Sequence, residues 1–215
     1  MSPKFNLPEK IIKPGTWRYL GERCPNISPS SVPIAGVSVT AISEHLGGEC
    51  YRVGKFAKDN AFLIVKDRAR FLYVRPEYTG YLNVAKRVFP IVPWAADFDH
   101  SLSKRIAVRA SYSYVLLLRV PPGVNRKHGN FEKKDQLEGI PPDVCFADDR
   151  VLDKWLGRPP KSRNRPDHVL NGYSFKNVTT SGLTLKQRGR WAYAIGIDDE
   201  DLSIEGLTKL SNSAI

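Results

Sequence analysis

Asp99 and His100 are adjacent in the chain, and 25 residues after His100 come Asn125 and, three further on, His128. Asp99 is a hard oxygen donor suited to Mg²⁺ or a similar ion. His100 titrates near neutrality when free, which suits a general base. The Asn125 carboxamide can ligate a metal or hold an imidazole. His128 shares a face with it if the segment from Val124 is helical, and is a second ligand for a softer ion such as Mn²⁺, Ni²⁺ or Zn²⁺. Cutting a phosphodiester with metal assistance needs such a set: a cation to stabilise charge developing on phosphate, a base to take a proton from water, and a group to orient that base.

These side chains need rigid elements to hold them. The run IVPWAADFDH is short, apolar and aromatic, and reads as a strand that carries Asp99 and His100 at its end. A short helix-like segment with Lys104, Arg105 and Arg109 follows, then a buried-looking strand from Tyr114 to Val120. A Pro-Pro-Gly turn opens the next helix, which brings Asn125, Arg126 and His128 together.

The 215-residue chain has a formal net charge of +11, a pI near 9.6 and 41% hydrophobic residues. That length buries a substantial core, and the excess of Lys and Arg points to a polyanionic partner, since counterion release favours association with phosphates. The cysteines, Cys24, Cys50 and Cys145, are odd in number and far apart, which excludes a disulfide framework and a C-x-x-C zinc ribbon. The first twenty residues contain no signal-peptide-like apolar run and no later segment has the length of a membrane span, so a cytoplasmic protein without membrane association is expected.

Along the chain, residues 1–32 read as an irregular, proline-rich arm whose Trp17, Tyr19 and Leu20 dock on the core. Residues 33–76 hold an ambiguous stretch closed by Gly47-Gly48, then three β-rich runs with the signature of an antiparallel meander. Residues 77–140 contain a helix with Tyr78, Leu82, Ala85 and Phe89 at helical spacing, followed by the segment described above. Residues 141–198 read as a capped helix from Asp148 to Gly157, a basic loop and a terminal hairpin turning at Arg188-Gly189-Arg190. Residues 199–215 read as a polar tail. Between Arg150 and Arg190 there are ten Lys or Arg against two Asp, and within that stretch Arg158, Lys161, Arg163 and Arg165 are the leading candidates for phosphate contacts.

The stretch DFDHSLSKRIAVRASYSYVLLLRVPPGVNRKHGNFEKK resembles the ββα-metal core of HNH nucleases, in particular toxin-type members, over about residues 78–135. The pattern of elements predicts an α+β fold with a mostly antiparallel sheet and about four flanking helices, and the resemblance implies a ββα-metal core within it. It also implies His100 as general base, Asp99 as metal ligand, Asn125 as the central asparagine, and His128 or Glu132 completing a Mg²⁺ or Mn²⁺ site, with Ni²⁺ or Zn²⁺ as alternatives. The expected function is a metal-dependent endonuclease on DNA, or on RNA, with Lys104, Arg105 and Arg126 joining the basic loop on the nucleic acid. A toxin of this type would have a neutralising immunity partner. The alternative is a basic nucleic-acid-binding module without catalysis, in which Tyr112, Tyr114 and Tyr173 are the stacking candidates. No Gly-rich loop of the dinucleotide or Walker type supports a nucleotide-cofactor enzyme.

Overall fold

The computed structural model describes residues 14–54, 59–89, 96–132, 136–137, 140–158, 169–170, 178–197 and 207–210. In chain order the elements are α1 (Pro14–Glu22), β1 (Pro33–Gly36), α2 (Val39–Leu46), β2 (Glu49–Val53), β3 (Ala61–Lys66), β4 (Ala69–Val74), α3 (Tyr81–Val88), β5 (Asp97–His100), α4 (Lys104–Arg109), β6 (Tyr114–Val120), α5 (Pro122–Glu132), β7 (Gln136–Leu137), β8 (Val144–Phe146), α6 (Asp149–Trp155), β9 (Val169–Leu170), α7 (Leu185–Ala194) and β10 (Leu207–Lys209). The fold is α+β. One eight-stranded sheet runs β10-β2-β3-β4-β6-β1-β8, with β5 on β6, and every pairing in it is antiparallel. The short β7 and β9 pair in parallel apart from it.

The meander is formed by β2, β3 and β4, whose apolar and β-branched residues are buried along almost their whole length. The ambiguous stretch before it resolves into both of its readings, a strand (β1) and then a helix (α2). Ser38 caps that helix and Gly47, at φ +68°, ends it.

β6 is the centre of the sheet. Its seven residues are all buried, and it is paired along both edges. β4 takes one edge, while β1 and β5 share the other end to end, β1 against Tyr114 and Val115 and β5 against Leu117 to Val120. Among the described strands β5 pairs with β6 alone, so it is a short edge strand. One core lies on the face covered by α1, α4, α6 and α7, and a second lies under α3. In α3 the buried residues are Val84, Ala85 and Val88, while Leu82, expected inside, is 43% exposed.

Three expectations change. Residues 14–22 are helical rather than irregular, and the docking of Trp17 and Leu20 comes from that helix, which buries both. The terminal segment is part of the sheet: Leu207–Lys209 extends it on β2. The hairpin expected around Arg188-Gly189-Arg190 is the helix α7. Its start is fixed by a capping box, in which the Gln187 amide N–H donates to Thr184 Oγ1 and the Thr184 N–H donates back to Gln187 Oε1. Trp191, Ala192, Tyr193 and Ala194 are all buried, a run that reads locally like a strand.

Gly189 is present because α7 lies against α1. A Cβ there would sit 1.9 Å from the Trp17 carbonyl oxygen, and a Cβ on Gly21 in α1 would sit 2.2 Å from the Leu185 carbonyl oxygen. The two helices thus approach backbone to backbone through reciprocal glycines. Gly189→Ala would raise intrinsic helix propensity by ~1 kcal/mol, yet it is expected to destabilise the protein by about 2 kcal/mol or more, because the clash is with backbone. A thermal melt with a lowered midpoint checks this; a raised midpoint would mean the helices stand further apart.

Candidate functional site

Successive residues of a strand point to opposite faces of the sheet, and β5 obeys this with four polar or aromatic side chains. Asp97 and Asp99 face α5 and α6. Asn125 Nδ2 in α5 donates to Asp97 Oδ2 at 3.0 Å, and Lys154 Nζ in α6 donates to Asp99 Oδ2 at 2.6 Å. Phe98 and His100 face α3. Phe98 stacks on Phe89 just past the end of that helix, and His100 meets Tyr81 edge-on at its start, with ring centroids 4.7 Å apart. Lys104, the first residue of α4, sits 4.7 Å above the same Tyr81 ring.

The local sequence explains this placement. After His100 the strand ends in Ser101, whose N–H donates to the Leu116 carbonyl, and Leu102 is fully buried. Ser103 then caps α4 by accepting from the Ile106 N–H. Asp148 caps α6 in the same way through the Val151 N–H. In α6 the expected inward residues Val151, Leu152, Trp155 and Leu156 are buried, and so are Arg150, Asp153 and Lys154.

Asp99 and Lys154 form a buried ion pair, their side chains 14% and 2% exposed. Losing one partner of such a pair costs about 3–5 kcal/mol, because the other charge stays in the interior. His128 is fully buried, and its Nε2 lies 3.0 Å from the Arg158 carbonyl oxygen, so that nitrogen carries the proton and donates. Arg158 in turn pairs with Asp153 at 3.4 Å. Asp97, Asp99, Asn125, Lys154, His128 and Arg158 thus form a polar layer that ties β5, α5 and α6 together.

His100 stands apart from that layer. Its Nε2 is buried without a hydrogen-bond partner. Burial first, then the charges of Lys104 and Lys154, push its pKa down to about 4, so the imidazole is neutral at pH 7. The cysteines offer no alternative nucleophile. Burial raises Cys24 and Cys50 to about 11 and Cys145 to about 12, which leaves the thiols protonated.

Asp99 and His100 therefore lie on opposite faces of one strand. Asn125 binds Asp97 rather than His100, and His128 faces a backbone carbonyl. Among the described residues no group of three or more His, Cys, Asp or Glu side chains could hold a metal ion. The oxygen of Asp99 that a cation would use accepts from an ammonium, so the residues as placed do not fit a divalent ion. Glu132 is the last residue of α5, and its side chain lies outside the described residues, as do Lys161, Arg163, Arg165, Tyr173 and the Asp167-His168 pair. Tyr112 and Tyr114 are core residues, 3% and 8% exposed, so neither presents a face for stacking.

No family model, characterised protein or solved structure matches the chain. No described helix is long and apolar enough to cross a membrane.

Sequence reasoning missed Asp97 and Lys154. The signal for both was Asp-x-Asp on a strand, which sends two carboxylates to one face and requires buried donors opposite.

Lys154→Met is expected to lower stability by about 3 kcal/mol, and adding Asp99→Asn should restore part of the loss, a coupling that a double-mutant cycle from denaturant titrations measures. A second expectation concerns pH. His100 is depressed from its ordinary 6.5 to about 4, so between those values the unfolded chain binds a proton that the folded chain does not. Stability therefore falls as pH drops from about 6.5 to about 4, by up to about 3 kcal/mol before solvent screening at this partly exposed residue. A His100→Gln variant should lose that part of the slope; an unchanged slope would show that the ring is not held neutral.

Proposed function

We propose that this protein binds nucleic acid across the surface that flanks β5. The supporting observation is the distribution of charge on the three helices around that strand. Lys86 and Arg87 of α3, Lys104, Arg105 and Arg109 of α4, and Arg126 and Lys127 of α5 are all exposed. Within those helices the only acid is Glu132. α3 and α5 cover opposite faces of an edge strand, and α4 begins where it ends, so the cations surround β5. Of the strand's own acids, Asp99 is neutralised by Lys154, and Asp97, which accepts from the neutral Asn125, leaves one negative charge against these seven cations. A chain with a net charge of +11 that gathers exposed cations there has the electrostatic footprint of a phosphate-backbone binder.

One observation favours a second reading, in which the bound strand is also cut. β5, α4, β6 and α5 follow one another as strand, short helix, strand and helix, so the two paired strands and the helix after them come in the order of the ββα core that residues 97–135 resemble, and His100 ends the first strand as a base would. In that reading the neutral imidazole accepts the proton, and the buried Nε2 must become accessible to do so. No step is assigned to a metal, since the donor set as placed does not fit one.

The binding reading predicts that Arg109→Glu, Arg126→Glu and Lys127→Glu, made together, weaken binding to any sequence by tenfold or more. The same changes should flatten its dependence on salt by about one logarithmic unit for each phosphate no longer neutralised. Fluorescence anisotropy with a labelled oligonucleotide across a salt series measures both; salt-independent binding, or none, would overturn the proposal. For cleavage, His100→Ala should abolish nuclease activity while leaving affinity intact, and activity retained in that variant would remove His100 as the base.

A further inference from the structure

At the end of this basic surface a cleft of about 450 Å³ opens between two turns, the one joining β4 to α3 and the one joining α4 to β6. Residues 75–79 form one wall, Val108 and residues 111–113 form the other, and Asn60 closes the rim. Its volume lies in the range of small-molecule sites. Three features give the cleft a chemical character.

The first is a planar apolar surface. Tyr78 is partly buried against the core under α3, and it packs so closely on Gly80 that a Cβ there would meet the phenol ring at 2.6 Å and its oxygen at 2.5 Å. The ring lines the cleft together with Pro76 and the exposed Val108. The second is a cation in the lining, Arg75, which is exposed and anchored through its Nε, a donor to the Asp59 carbonyl. The third is a set of small polar groups at the rim: Asn60, Glu77, Ser111 and Ser113 supply donors and acceptors for a heterocycle's edge. Ser111, at φ +59°, closes the end of α4: its N–H donates to the Val108 carbonyl and the Tyr112 N–H to the Ala107 carbonyl, which holds this wall of the cleft in place.

We infer that this cleft receives one unpaired nucleotide of a single-stranded nucleic acid, with its base against Tyr78 and a flanking phosphate on Arg75. The inference deepens the binding reading above and rests on it. A duplex must unpair and unstack a base, at an energetic cost, before it can offer one to a recess of this size, whereas a single strand can splay a base onto an aromatic ring without that cost. The stacking role expected of the buried Tyr112 and Tyr114 thus falls to Tyr78, while the cations of α4 continue onto the strand on either side. Glu77 makes the pocket selective as well. Its carboxylate is an acceptor for an exocyclic amine, so bases that carry one should be preferred over uracil or thymine.

The test compares a labelled single strand with a duplex of the same sequence, using wild type, Tyr78→Ala and Tyr78→Phe. Wild type is expected to prefer the single strand. Tyr78→Ala should lose about tenfold in single-strand affinity, within the range for one stacked base, with duplex binding unchanged, and Tyr78→Phe should behave as wild type. Because Tyr78 also packs on the core, a second measurement leaves it in place. A single strand carrying bromouracil, photocrosslinked to the unaltered protein, should attach within residues 75–79 or 108–113 on peptide mapping. Crosslinks only elsewhere, or a Tyr78→Ala variant with wild-type single-strand affinity, would overturn the nucleotide cleft and leave backbone binding standing. Failure of both single strand and duplex to bind would overturn the two together.

Discussion

The antiparallel pairing of β5 with the second half of β6 is the constraint on which the site depends. Four residues, Asp97 to His100, sit opposite Val120 to Leu117, and strand geometry then leaves no choice about direction: the two aspartates go to one face, and the phenylalanine and histidine to the other. A slip of one residue would reverse this. It would drive both carboxylates into the apolar layer of Val84, Ala85, Val88 and Phe89 and set Phe98 against Lys154. The Asp99–Lys154 pair is thus better understood as what fixes the register than as a large net source of stability, since a buried pair gains little over apolar packing but costs much when mismatched.

The same parity separates chemistry from scaffolding. The face with the aspartates becomes an internally satisfied layer in which Asn125, Lys154 and the Asp153–Arg158 pair hold α5 and α6. That leaves the outward cations of α5 without acids nearby on their own helix to cancel them. The opposite face carries His100, neutral and in edge-on contact with Tyr81, above whose ring the Lys104 ammonium sits. Rigidity for both comes from elsewhere, from a β6 paired along both edges and from the α1–α7 crossing. That crossing brings Trp17 edge-on to Tyr193, and α7 is also held to α6 by the stacking of Trp191 on Trp155.

Much of the fold could be read in the sequence because the deciding signals were local. Apolar runs broken by Lys-Asp-Asn and Lys-Asp-Arg gave the meander, Asp148 and Gly157 bracketed α6, and the strand at Tyr114–Val120 was apolar enough to need burial on both faces. α7 was misread because Trp191 to Ile195 is apolar without interruption, and in so short a stretch the distinction between helix and strand is made by the Thr184–Gln187 capping box. β10 was missed because three residues make a strand only when a partner edge is available. At the site, the pairing of Asp99 with His100 in sequence suggested convergence, whereas adjacency on a strand means divergence. Lys154 could not be found by its own helix pattern, since it is buried by what faces it across 55 residues of chain and not by periodicity.

Whether a nucleic acid lies on the surface around β5 is tested most directly by amide chemical-shift mapping, with a short unlabelled oligonucleotide titrated into isotope-labelled protein, because this locates the bound ligand without altering any residue. Shifts concentrated in α3, α4 and the first turns of α5, with the far end of the sheet at β10 and β2 unmoved, are the predicted result. Shifts confined to that far end, or spread evenly over the basic residues of the whole chain, would contradict it.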